Sequence, residues 1–213
     1  DLHDAGGWHP SVCRRGNRDG AWTTRHDALQ WALVWVLRRL RGQAQAVGKR
    51  QMFGSASFTH AGRALHADIV SYHWRGPGRH LWVDVAVATP AALEAMRAMP
   101  SARDAPGVAA LLRERKKHRK YGATVDAVGG CFRAGVMERF GAVGDDMEAL
   151  VRGACGDLDR DRGEADWAFT APSQVTYYMQ HIVLAGVMAD AAMVDAAIEA
   201  DIYQRDAGRR GGG

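Results

Sequence analysis

Leu81-Trp-Val-Asp-Val-Ala-Val-Ala88 is the stretch on which the reading of this chain turns. Val83, Val85 and Val87 alternate with Trp82, Asp84, Ala86 and Ala88. Both sets are apolar apart from Asp84, which suits a strand covered on both faces. Pro90 marks its end. A lone carboxylate in such a strand costs free energy unless something compensates its charge. Upstream, His66-Ala-Asp-Ile-Val holds a second carboxylate, Asp68, in another apolar run, predicted as a strand over 69–72. Arg75-Gly-Pro-Gly-Arg79 supplies the turn between the two strands. Two carboxylates on paired strands repel each other, and a hard divalent cation relieves that repulsion. Downstream, Leu111-Leu-Arg-Glu-Arg-Lys-Lys-His-Arg-Lys-Tyr121 reads as part of a helix over 107–128. Its Glu114, Lys117 and Tyr121 share one face. Two aspartates and a lysine around Mg²⁺ is a chemistry for cutting phosphodiesters.

The ordered set Asp68, Asp84, Lys117, Lys120-Tyr121 resembles the restriction-like endonuclease, of the PD-(D/E)xK superfamily, at the C-terminal end of LINE-like (non-LTR) retrotransposon polyproteins. The chain departs from that pattern at three places. His66 and Ala67 stand where the family has a basic residue and a proline, Ala86 stands where the wider superfamily puts its lysine, and Gln51 lies in a segment where many relatives carry an acid. The family commonly moves the lysine to the helix, where Lys117 sits. The resemblance implies an α/β fold with a restriction-endonuclease-like core: a helix, a mixed sheet of about four strands and flanking helices, followed by an all-helical C-terminal tail. It implies a catalytic set of Asp68, Asp84, Lys117, Lys120 and Tyr121, with Asp68 and Asp84 holding Mg²⁺ or Mn²⁺. It also implies nicking of chromosomal DNA in the nucleus, beside an upstream reverse transcriptase domain of the same polypeptide, with element RNA as a further partner. The alternative is a non-cutting nucleic-acid-binding module descended from such a nuclease. A third reading is an α/β domain whose Asp84 is a satisfied buried carboxylate.

Composition is compatible with these readings without selecting among them. The 213 residues are 47% hydrophobic, enough for a sizeable core. The formal net charge is +4 and the isoelectric point about 9.2, which suits a polyanionic partner. The three cysteines are too scattered for a disulfide framework. No apolar run is long enough to span a membrane, so no membrane partner is expected. The chain lacks an initial Met and is read as the C-terminal piece of a longer polypeptide.

Four regions are expected: a linker or zinc-knuckle remnant over 1–23, the nuclease core over 24–155, a helical extension over 156–205 and a disordered tail over 206–213. His9-Pro-Ser-Val-Cys13 has the spacing of half a zinc site, and equally suits a free thiol near a loop histidine. The resemblance makes His9 and Cys13 zinc ligands completed by upstream cysteines. From Thr24, as N-cap, to about Ala46 the pattern is helical, with Ala28, Trp31, Ala32, Trp35 and Val36 on its apolar stripe. His26 opens that helix and suits a ligand role or an ordinary hydrogen bond. A first strand is expected near Gln51 and a short helix over 91–99. The basic run contributes Arg113, Arg115, Lys116 and Arg119 as DNA contacts, against the plainer reading of a solvated face. A strand over 132–139 brings Glu138 either toward the site or into a pair with a basic residue. A helix over 145–154 and a long helix from about Trp167, with a break near Pro172, complete the prediction.

Overall fold

A computed structural model describes residues 21–41, 44–46, 59–60, 63–90, 105–139, 141–156 and 171–210. The chain is α/β. Its elements are α1 (Ala21–Arg41), β1 (Ala44–Ala46), β2 (Thr59–His60), β3 (Arg63–Ala64), β4 (Ile69–Ser71), β5 (Leu81–Ala88), α2 (Val108–Asp126), β6 (Cys131–Glu138), α3 (Asp145–Cys155) and α4 (Gln174–Arg210). The body of the main sheet is the three strands β4, β5 and β6, smaller than the expected mixed sheet of about four strands. The three-residue β1 pairs antiparallel with the outer edge of β4. β2 and β3 form a separate two-stranded ribbon. No described helix is long and apolar enough to cross a membrane.

β4 and β5 are antiparallel, with Ile69 opposite Val83 and Ser71 opposite Leu81. β5 and β6 are parallel, with Asp84 opposite Ala134. A parallel pair needs a crossover, and α2 supplies it. β5 occupies the predicted residues, and all but one of them are buried. Its alternation sorts them into two layers. Leu81, Val83 and Val85 join Ile69 and Met137 under α1, α3 and α4. Trp82, Ala86 and Ala88 join Phe132, Ala134, Val136 and the Ala109, Ala110, Tyr121 and Val125 face of α2. Asp84 therefore points to the α2 layer.

Four expectations are corrected. Helix α1 starts at Ala21, so Thr24 lies inside it and is not its cap. It stops at Arg41, just before Gly42, a common helix terminator, rather than continuing to Ala46. Ala44–Ala46 instead turns back as β1, with Arg38 Nε donating to the Ala44 carbonyl at 2.6 Å. The buried stripe of α1 is Arg25, Leu29, Leu33, Val36 and Leu37, whereas Trp31 and Trp35 are 57% and 46% exposed. The flexible leucines fill the space under the sheet, while the Trp35 indole lies against Tyr178 and His181 of α4 at 5.9 and 5.2 Å between ring centroids. α4 runs on to Arg210, past Asp206, where the tail was expected to lose structure. It begins at Gln174, two residues after Pro172, and Ser173 caps it by accepting from Thr176 N–H at 3.1 Å. The strand expected near Gln51, the short helix over 91–99 and residues 157–170 of the expected helical extension lie outside the described residues.

Candidate active site

The β4–β5 register, continued by one residue, puts Asp68 directly opposite Asp84. Asp68 N–H donates to the Val83 carbonyl at 2.9 Å, and Val85 N–H donates to Asp68 Oδ2 at 2.7 Å. The backbone thus holds the Asp68 carboxyl against the middle of β5. Asp68 and Asp84 are close enough to share a hydrogen bond. From α2, Lys117 Nζ donates to Asp84 Oδ2 in a short contact and to the Val85 carbonyl at 3.0 Å. From α1, His26 Nε2 lies 3.2 Å from Asp68 Oδ2, while its Nδ1 is 3.1 Å from Asp27. Gln30 on the next turn donates to the Asp68 carbonyl.

Burial governs the charges here. It pushes the Asp84 carboxyl up to about 6, against the pull of Lys117, and the neighbouring Asp68 adds to the rise. For Asp68 burial also opposes ionisation, but the bonds from His26, Asp84 and Val85 N–H outweigh it and hold the carboxyl below the usual range. Of the two carboxyls Asp84 therefore takes up a proton first as pH falls, and Asp68 remains the anion longer. Burial lowers the Lys117 ammonium, with Asp84 opposing and Arg113 adding to the fall. The Asp68 bond raises His26 despite its burial.

Tyr121 stands beside this group. Its hydroxyl donates to the His66 carbonyl at 3.1 Å and accepts from Lys120 Nζ at 2.7 Å. Burial, and then the charges of Asp84 and Asp68, push that hydroxyl far up, so it stays a neutral donor. The predicted set of Asp68, Asp84, Lys117, Lys120 and Tyr121 is therefore brought together. Arg113, Arg115, Lys116 and Arg119 are exposed on α2, on either side of the buried Glu114–Lys117–Tyr121 stripe.

Glu138 is not part of the site. It lies at the far end of β6, opposite Ala88, and its Oε1 accepts from Ala110 N–H at 3.0 Å. There it caps the first turn of α2, whose Gly107 N-cap offers no side chain. His9, Cys13 and Gln51 lie outside the described residues; the two described cysteines, Cys131 and Cys155, are free thiols.

The sequence did not single out the second polar layer. Asp146, in the first turn of α3, accepts from Ala134 N–H at 2.8 Å, from Arg133 at 3.2 Å and from His118. Glu114 Oε1 accepts from Asp146 N–H at 3.0 Å. It fits only because Gly144 has no side chain, since a Cβ there would lie 1.9 Å from that oxygen. The signal available was the Gly-Asp-Asp start of α3, which presents a helix N-terminus able to receive a carboxylate.

Among the described residues no group of three or more His, Cys, Asp or Glu side chains forms a metal-holding cluster. The donors that do converge are the two carboxyls and the Val85 carbonyl. These hard oxygens fit Mg²⁺ or Mn²⁺, which take few protein ligands and keep several waters. Comparison with protein-family models, curated proteins and solved structures finds no match to the chain.

Proposed function

We propose that the chain is a metal-dependent DNA endonuclease with a restriction-endonuclease-like core, the nuclease module of a non-LTR retrotransposon polyprotein. The observation that carries the reading is Asp68 opposite Asp84 on paired strands, with Lys117 reaching both Asp84 and the Val85 carbonyl from the crossover helix. Asp68, Asp84 and the Val85 carbonyl would hold the ion. When bound, Mg²⁺ or Mn²⁺ supplies Lewis acidity toward the phosphate and lowers the pKa of a coordinated water. Lys117 places a positive charge where the attacked phosphate gathers negative charge, and it is held there before substrate arrives. Lys120 and the neutral Tyr121 hydroxyl contact the scissile or adjacent phosphate, and Arg113 and Lys116 grip the backbone outside it. The water oxygen bonds to phosphorus, the P–O3′ bond breaks and the 3′ oxygen takes a proton, leaving a 3′ end that can prime DNA synthesis in the nucleus.

The test is nicking of supercoiled plasmid with Mg²⁺ or Mn²⁺, with EDTA as control. Asp84→Ala should lose nicking by at least about a hundred-fold while retaining DNA binding, and Lys117→Ala should slow it by a similar factor. A parent that never nicks, or an Asp84→Ala chain that cuts as fast, sinks the reading. The non-cutting module would then take its place. The presence of only two carboxylates in the described site, with Lys117 already donating to one of them, favours that second reading.

A further inference from the structure

Beyond the carboxylates, one end of the sheet carries a cleft of about 320 Å³ that cutting does not use. Trp74, Arg75, Arg79, His118, Phe132 and Arg133 line it, together with Asp126 as its one acid. Three guanidiniums thus arrive from two places: Arg75 and Arg79 from the β4–β5 hairpin, and Arg133 from β6. Arg133 and His118 are anchored on Asp146. The side chains of Arg75 and Arg79 make no hydrogen bond or ion pair among the described residues, and both residues are exposed.

The hairpin presents them on a fixed frame. Trp74 N–H donates to the Arg79 carbonyl at 2.8 Å, and Gly78 N–H to His73 Nδ1 at 3.2 Å. His73 itself adopts a left-handed φ of 55° to close the turn. Arginine charge with no acidic partner among the described residues, as at Arg75 and Arg79, is suited to an anionic ligand.

The cleft also adjoins the carboxylate site. His118 follows Lys117 on α2, and Phe132 stacks on Tyr121 at 5.1 Å between ring centroids. Phe132 lies opposite Trp82 and Ala134 opposite Asp84. Two residues of strand amount to about 7 Å, roughly two nucleotides at about 3.4 Å per step.

We propose that this cleft binds the phosphates of a nucleic-acid strand as it leaves the Asp84–Lys117 site. The direction of the strand rests on the nuclease reading; the binding itself does not.

The experiment is binding of a short labelled DNA duplex by fluorescence anisotropy, in EDTA, across a range of salt. Arg75→Ala/Arg79→Ala should weaken binding and make the log–log salt dependence shallower by about 0.9 for each phosphate no longer neutralised. Arg75→Lys/Arg79→Lys should restore the slope. An unchanged slope in the alanine variant overturns the proposal. So does loss of binding to a 5′-mononucleotide with the DNA slope unchanged, which would make the cleft a small-phosphate site. Because no metal is present, the outcome is separable from cutting. A shallower slope in a chain that never nicks plasmid keeps the cleft and removes the nuclease. An unchanged slope beside Mg²⁺-dependent nicking that Asp84→Ala abolishes does the reverse.

Discussion

Glu114 shows how a single side chain ties the helices around the site together. Burial pushes its carboxyl up to about 7, although Asp146 N–H pulls the other way, and the charges of Asp146 and Asp145 add to the rise. The unfolded chain releases this proton near the ordinary glutamate value. Between that value and about 7 the folded state therefore binds more protons than the unfolded one. Stability contributed by the protonated form is full below the unfolded value and is lost as pH rises through about 7. Glu114→Gln keeps an oxygen for Asp146 N–H and cannot ionise. Urea midpoints measured from pH 5 to pH 8.5 should fall as pH rises to about 7 and then level off in the parent, and fall less in the glutamine chain. Equal slopes would show that Glu114 does not titrate in this range. The sequence made Asp84 legible because a charge inside an apolar strand demands a partner, and Lys117 because its spacing put it on the face with Tyr121. It left Glu114 without a role and His26 between two roles, since what decides them, the start of α3 and Asp68, comes from remote parts of the chain.

β5 was readable to the residue, because an apolar run with both faces alike and a proline beyond it admits few alternatives. Helix α1 was readable as a helix but not in its rotation. Helical spacing places Trp31 and Trp35 on an apolar stripe, whereas Leu29, Leu33 and Leu37 form an equally periodic stripe that fits beneath the sheet. Periodicity alone does not rank two such stripes; packing does. Glu138 carries the same lesson for α2. The sequence left it either near the site or paired with a basic residue, and the parallel register instead carries it four positions beyond Ala134, to the start of α2. Its task is to accept an otherwise unpaired N–H and to place negative charge at the positive end of the helix. Glu138→Ala should cost about 1–3 kcal/mol of stability by denaturant titration, the penalty for stranding a buried donor. Plasmid nicking by the variant, assayed well below its unfolding midpoint, should stay near the parent's. A large loss of cutting in a fully folded Glu138→Ala chain would move Glu138 into the catalytic set.

At the scale of the whole molecule, α4 decides whether the fold is a core with an appendage or one unit. From sequence its Ala-, Val- and Met-rich stripe was a packing face whose loss would cost solubility before chemistry. Such a face could cover the sheet or lie against the first helix, and the rings of Trp35, Tyr178 and His181 place it against the first helix. Yet Val175, Tyr178 and Ile182 belong to the same buried cluster as Leu33 of α1 and Val83 of β5. Further along, Asp190 is buried between two guanidiniums: Arg25 of α1 at 2.9 Å and Arg139, just past β6, at 4.0 Å. This ionic contact joins the first helix, the end of the sheet and the last helix, and no local pattern in any of the three segments announces it. Removing one partner of a buried ion pair typically costs about 3–5 kcal/mol, because the remaining charge stays out of water. Asp190→Ala should therefore shift the urea midpoint by a large fraction of the total stability of a domain this size. A chain ending at residue 170 should lose cooperative unfolding altogether, since it also exposes the Leu33–Val83 layer. The measurement is urea unfolding followed by tryptophan fluorescence and far-UV circular dichroism on both variants. If the truncated chain unfolds in one sharp transition and still nicks plasmid, α4 is an appendage after all. If both signals broaden together and nicking vanishes, the positions of Asp68, Asp84 and Lys117 depend on a helix distant from them in sequence, and the α/β core does not fold without it.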